Sequence, residues 1–139
     1  MKEWKSTTEG RTITETDVVM FSYFTGDWTY LHTDNEKAKK SIFGERIAHG
    51  YLTLAVSLGL VIRSGAINTN LFIALKSIES VNFLKPVRIG DTLTVSYQKE
   101  KELFEGKPDR GTVKLRAKTF NQNKECVMEF ITKHLERLK

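Results

Sequence analysis

The sequence predicts an α+β fold in which a single apolar helix lies against a curved antiparallel sheet. Two observations predict it. From Tyr51 to Ile62 the chain carries no charged residue and is apolar on nearly every side of a helix, so the segment needs protein around it. From Leu71 onward, apolar and polar residues tend to alternate, the pattern of strands buried on one face. The first half reads as helices and the second as strands, with only two prolines in the chain. No linker, repeat or low-complexity stretch divides it. Residues 1–139 therefore read as a single domain, long enough to bury a core.

Each element has a local signature. Thr14 followed by Asp17 is a capping box that opens a helix through Val18, Val19, Phe21, Ser22 and Phe24. Gly26 stands where a C-terminal cap would end it. Asp34 is placed to cap a short helix from Asn35 to about Ser41, which makes Asp27–His32 the connection between two helices. The apolar helix starts near His49 or Gly50 and runs to about Arg63. Leu71 to Leu75 and Ile78 to Leu84 form one strand, bent or bulged near Glu79-Ser80. Thr92 to Gln98 and Thr112 to Lys118 alternate cleanly, the second with a cationic outer face. In the last strand Cys126, Met128 and Phe130 face inward, opposite Glu129 and Lys133. Gly90-Asp91, Gly106 to Gly111 and Asn121 to Lys124 supply the turns. Short connections make the strands antiparallel, and a greasy helix wrapped by such a sheet is the hot-dog fold.

Composition removes several function classes. Cys126 is the only cysteine, so no intrachain disulfide forms and a reducing cytoplasm is the expected setting. Met1 to Lys5 lack the apolar core of a secretory signal, and Tyr51 to Ile62 is too short to span a bilayer, which takes roughly 20 residues. The net charge of +5 is spread out: Lys37, Lys39, Lys40, Lys99, Lys101 and Lys118 interleave with acids or polar residues. No basic and aromatic platform for nucleic acid is evident, whereas a phosphate-bearing coenzyme would suit such a surface. The three histidines and one cysteine show no metal-ligand spacing, so no metal is expected.

Three stretches resemble the MaoC-like dehydratases and (R)-specific enoyl-CoA hydratases, the hydratase 2 family. The first is Thr25-Gly26-Asp27 with Leu31-His32, and the second is Phe43-Gly44 followed by Arg46-Ile47-Ala48-His49-Gly50. The third is Phe83-Leu84-Lys85-Pro86-Val87-Arg88-Ile89-Gly90-Asp91. The resemblance covers the chain from about Arg11 onward. One departure falls inside the signature: the family usually carries Asn-Pro where this chain has Thr29-Tyr30. Thr29 can supply part of the asparagine's hydrogen bonding, but Tyr30 cannot supply the ring constraint on φ.

The resemblance implies water addition to, or removal from, a 2-enoyl thioester carried by coenzyme A or an acyl carrier, with no other cofactor. Asp27 and His32 would hold a water between them and act as the acid–base pair. Seclusion would raise the Asp27 pKa and a nearby imidazolium would lower it, and the two would titrate together. Gly50, at a helix start whose N–H groups lack intrahelical partners, would stabilise the developing oxyanion and let the thioester approach the backbone. Thr29 and Tyr30 would shape the acyl pocket, and Ser57 is the nearest match to a serine the family places by the acyl group. A serine there can equally bond back to a helix carbonyl. His49 would orient its turn, Arg46, Lys85 and Arg88 could approach phosphates, Cys126 would be core, and His134 has no evident partner. The resemblance also implies a homodimer or higher homo-oligomer paired through its sheets. Alternatives are a hot-dog acyl-CoA thioesterase and a non-catalytic acyl-CoA-binding subunit.

Overall fold

The computed structural model describes residues 6–104 and 107–138. The signal-sequence reading of Met1 to Lys5 and the turn at Gly106 lie outside them. Two short strands come first, β1 (Ser6–Thr7) and β2 (Arg11–Thr12), followed by helices α1 (Glu15–Thr25), α2 (Tyr30–Thr33), α3 (Asn35–Lys39) and α4 (Gly50–Arg63). Strands β3 (Phe72–Phe83), β4 (Thr92–Phe104), β5 (Lys107–Phe120) and β6 (Cys126–Arg137) complete the chain. The sheet is antiparallel in the order β1-β4-β5-β6-β3, with β2 also paired to β4, and it is not closed. Long helix α4 packs against it, which is the hot-dog architecture.

Local chemistry sets the helix ends. The Asp17 amide donates to Thr14 Oγ1 at 3.2 Å and the Thr14 amide donates to Asp17 Oδ2 at 2.8 Å, a reciprocal box that satisfies donors left over at the start of α1. Gly26 ends α1 at φ 83°, in the left-handed region glycine tolerates. The turn from Asp27 toward His32 therefore begins as a sharp departure from a helix end. Asp34 caps α3 by accepting from the Lys37 amide at 3.0 Å. In β3 the bulge near Glu79-Ser80 is present, with the register shifting between Glu79 and Asn82 and Ser80 at φ 52°.

Leu52, Leu60 and Val61 of α4 join Leu93, Val95, Leu115, Met128 and Phe130 of the sheet in one buried cluster with Ile13 and Val18. Burying side chains of this size contributes roughly 1.5–3 kcal/mol each. The helix is not surrounded on every side, however: Tyr51, Ala55 and Ile62 face outward and are exposed. Its all-round apolarity is thus only half used within this chain.

Other expectations change. The Asp27–His32 connection contains the one-turn helix α2, α3 stops at Lys39 instead of Ser41, and residues 6–12 add two short strands. Gly111 is paired with Leu103 and Glu136 inside the sheet rather than lying in a turn. The inward face of β6 extends to Thr132, His134 and Glu136, while Cys126 is only half-buried. His134 has a partner after all. Its Nε2 lies 3.1 Å from Glu136 Oε1, both residues are 1% exposed, and Phe72 stacks on the ring at 5.2 Å. No helix among the described residues is long and apolar enough to cross a membrane.

Candidate active site

The site begins at the left-handed cap of α1. Gly26 turns the chain, and Asp27 immediately forms a side-chain turn. Its Oδ1 accepts from the Thr29 hydroxyl at 2.6 Å and the Thr29 amide at 3.1 Å. These two bonds, more than anything else, hold the Asp27 carboxyl below its usual range; slight burial pushes the other way, and His32 and His49 add to the lowering. Seclusion thus does not raise this acid. The residue that replaces the family asparagine is the one that fixes its orientation.

His32 sits on α2 and is buried. Its Nδ1 lies 2.8 Å from the Ile47 carbonyl oxygen, which can only accept, so Nδ1 carries a proton and Nε2 is the free ring nitrogen. The Ile47 amide in turn donates to the Leu31 carbonyl at 3.0 Å. Arg46 braces the same pair of segments: it donates to the His32 carbonyl at 3.2 Å, to Asn35 Oδ1, and to both oxygens of Glu15 at 2.7 and 2.8 Å. Its guanidinium is committed to structure and not to a phosphate. Lys85 pairs with Glu125, and Arg88 with Glu45 and the Phe43 carbonyl, so the other two expected phosphate contacts are engaged as well.

The chain from Ile47 then brings His49 onto this pair. The His32 and His49 rings stack at 3.9 Å with 27° between their planes, and the Phe21 ring meets His49 edge-on at 4.9 Å. His49 is fully buried, and its Nε2 lies 2.9 Å from Ser22 Oγ on α1. Burial, reinforced by His32, lowers its pKa; the Asp27 carboxylate and backbone carbonyl only partly offset this. Among the described residues, His49 Nδ1 is the single buried side-chain nitrogen or oxygen with no partner at full hydrogen-bond geometry, the Asp27 backbone carbonyl being a looser neighbour of the ring. Ser22 and the His49 side chain are the parts of the site that sequence reasoning did not place there. The signals in the sequence are a serine among the apolar residues of α1 and the histidine of Ala48-His49-Gly50.

One ligand atom from each of Asp27, His32 and His49 lies within 4.8 Å of the other two. Sequence spacing did not suggest this set. Two ligands on one zinc ion, with bonds of about 2.0–2.1 Å, sit about 3.4 Å apart. Two groups sharing one tetrahedral water sit about 4.6 Å apart at ordinary hydrogen-bond lengths. A spacing of up to 4.8 Å leaves room for a shared water.

Gly50 opens α4, and its amide is among the helix's unpartnered first donors. A Cβ there would meet Phe83 Cε1 at 3.0 Å, so the missing side chain makes room for the Phe83 ring. Beside it lies an apolar cleft of about 310 Å³ lined by residues including Phe43, Ile47, Gly50, Thr53, Phe83 and Pro86. Tyr30 stands exposed at the start of α2, and Trp28, packed edge-on against Tyr23, is exposed beside it. Ser57 makes its hydrogen bonds inside the core. Two turns into α4, it donates to the Thr53 carbonyl at 2.7 Å and meets Thr119 Oγ1 of β5 at 2.7 Å, so it serves helix–sheet packing. Burial raises the Cys126 thiol pKa, which keeps it protonated and inert.

Residues 2–120 match a protein-family model described as MaoC like domain. Over 88 residues the chain is 41% identical to the protein MaoC of Klebsiella aerogenes, covering 63% of this chain and 25% of that protein. Over 100 residues it is 34% identical to the (R)-specific enoyl-CoA hydratase of Rhodospirillum rubrum, 69% of this chain and 64% of the relative. The match therefore spans a quarter of one relative and just under two thirds of the other. Among solved structures, a monoamine oxidase regulatory protein from Archaeoglobus superposes with a TM-score of 0.89 at 39% identity, covering 96% of this chain and 88% of that one.

Proposed function

Because the chain belongs to the MaoC-like dehydratase family, we propose that it is a hydro-lyase of the (R)-specific enoyl-CoA hydratase type. It adds water to a 2-enoyl thioester or removes it from the 3-hydroxy thioester. The observation that carries this reading is the meeting of Asp27 and His32 close to the open end of α4. An ionised carboxylate and a free imidazole nitrogen accept hydrogen bonds from one water, whose oxygen attacks C3. The electron pair of the double bond moves toward the thioester oxygen, where the Gly50 amide and the positive end of the helix dipole stabilise it. The dyad takes the water's proton and C2 receives one, so the pair is restored as a unit.

Thr29 holds Asp27 in place, while Tyr30 and the apolar cleft beside Gly50 accommodate the acyl chain. The carrier is coenzyme A or an acyl carrier protein, and no other cofactor takes part. The lone, buried-side cysteine supports a reducing, cytoplasmic setting. A homodimer paired through the β3 edge is supported by the uncovered apolar residues of that strand.

Hydration of crotonyl-CoA by the pure protein is the direct test. Asp27→Asn should lower kcat by about 10²-fold or more with unchanged circular dichroism. Equal rates for the two folded proteins would eliminate the dyad. Thiol release from a saturated acyl-CoA would instead indicate a thioesterase.

A further inference from the structure

The acid–base pair is short of a donor. Asp27, held ionised, only accepts, and His32 has given its Nδ1 proton to Ile47. A water placed between two acceptors points both hydrogens at them, and nothing yet orients its lone pairs. His49 is the group in position to do so. The hydroxyl of Ser22 is buried and has His49 Nε2 as its side-chain partner at 2.9 Å. Were Ser22 to accept from Nε2–H, its own proton would be left buried without an acceptor. It therefore donates to Nε2, and the neutral His49 ring must carry its proton on Nδ1. That N–H belongs to the buried atom without a full hydrogen-bond partner, and one ring nitrogen of His49 lies within 4.8 Å of a ligand atom of Asp27 and of His32.

We infer that His49, fixed by Ser22 as the Nδ1–H tautomer, is a further catalytic residue that donates to the oxygen of the reacting water. The inference rests on the hydro-lyase reading of this site. The water then makes four directed contacts: it donates to Asp27 and His32, accepts from His49, and has one lone pair left for C3. In the reverse direction the C3–O bond breaks and its electron pair goes to the departing oxygen. Asp27 and His32 together return a proton to that oxygen, and the His49 N–H stabilises the charge building on it. The stack with His32 and the edge contact with Phe21 hold the donor rigidly.

Two measurements test this. Nitrogen-15 shifts of the histidine side chains distinguish the tautomers without reference to turnover: wild type should show His49 protonated on Nδ1, and Ser22→Ala should lose that preference. With crotonyl-CoA, His49→Phe keeps an aromatic ring without the donor and should lower kcat about 10²-fold with little change in KM. Ser22→Ala should lower kcat about tenfold, and His49→Gln should recover part of the loss in His49→Phe. An Nε2–H tautomer in wild type, or native kcat in Ser22→Ala and in a folded His49→Phe, overturns the inference while leaving the hydro-lyase reading intact. Absence of any hydration by wild type overturns that reading, and the inference with it.

Discussion

Thr29 shows how a departure from a family pattern can be absorbed by one side chain. Its hydroxyl and amide both bind Asp27 Oδ1 and are the main reason the carboxyl ionises below its usual range. Thr29→Val removes the hydroxyl and keeps the shape and the amide. The Asp27 pKa should then rise toward its ordinary value. Since a base works only when ionised, the acidic limb of kcat/KM should move to higher pH, with fully alkaline rates less affected. An acidic limb at the wild-type position would show that the Thr29 hydroxyl does not set it. Arg46 and Ile47 act on the other partner, one holding the backbone of His32 and the other its ring.

Helix α4 carries two kinds of polar residue with opposite duties. Gly50 at its start offers an unpaired amide, whereas Ser57 deeper in the helix has both its hydrogen bonds inside the core. Ser57→Ala strands the fully buried Thr119 hydroxyl and should cost about 1–3 kcal/mol in urea unfolding. Turnover at saturating substrate should stay near wild type in the folded variant. A large drop in kcat without a stability change would restore Ser57 to the substrate site. The outward stripe of Tyr51, Ala55 and Ile62 explains why the sequence of α4 is apolar beyond what its own sheet can cover.

At the scale of the molecule, uncovered apolar surface recurs on the edge strand β3, where Phe72, Ile73, Leu75 and Ile78 are exposed. An edge strand with free backbone groups and apolar side chains invites a second strand. Light scattering should therefore give a dimer or a multiple of one, and Leu75→Lys should shift it toward monomer. A wild-type monomer at micromolar concentration would count against pairing through this edge. The second apolar face, formed by Met20, Tyr23 and Phe24 on α1, borders the site through Trp28.

Periodicity and capping are local properties, so the sequence by itself determined the helix from Glu15, the cap at Gly26, the start of α4 and the bulge in β3. It also set Asp27, His32 and Gly50 in one expected site, because their order resembles a family's signature. Only the tertiary structure decided which atoms meet. The Ser22 hydroxyl reaches His49 from another helix, Arg46 turns away from any phosphate to bind Glu15 and His32, and His134 finds Glu136 in the core. Such contacts depend on how elements pack and on which polar groups must be satisfied once water is excluded. No spacing along the chain encodes that requirement.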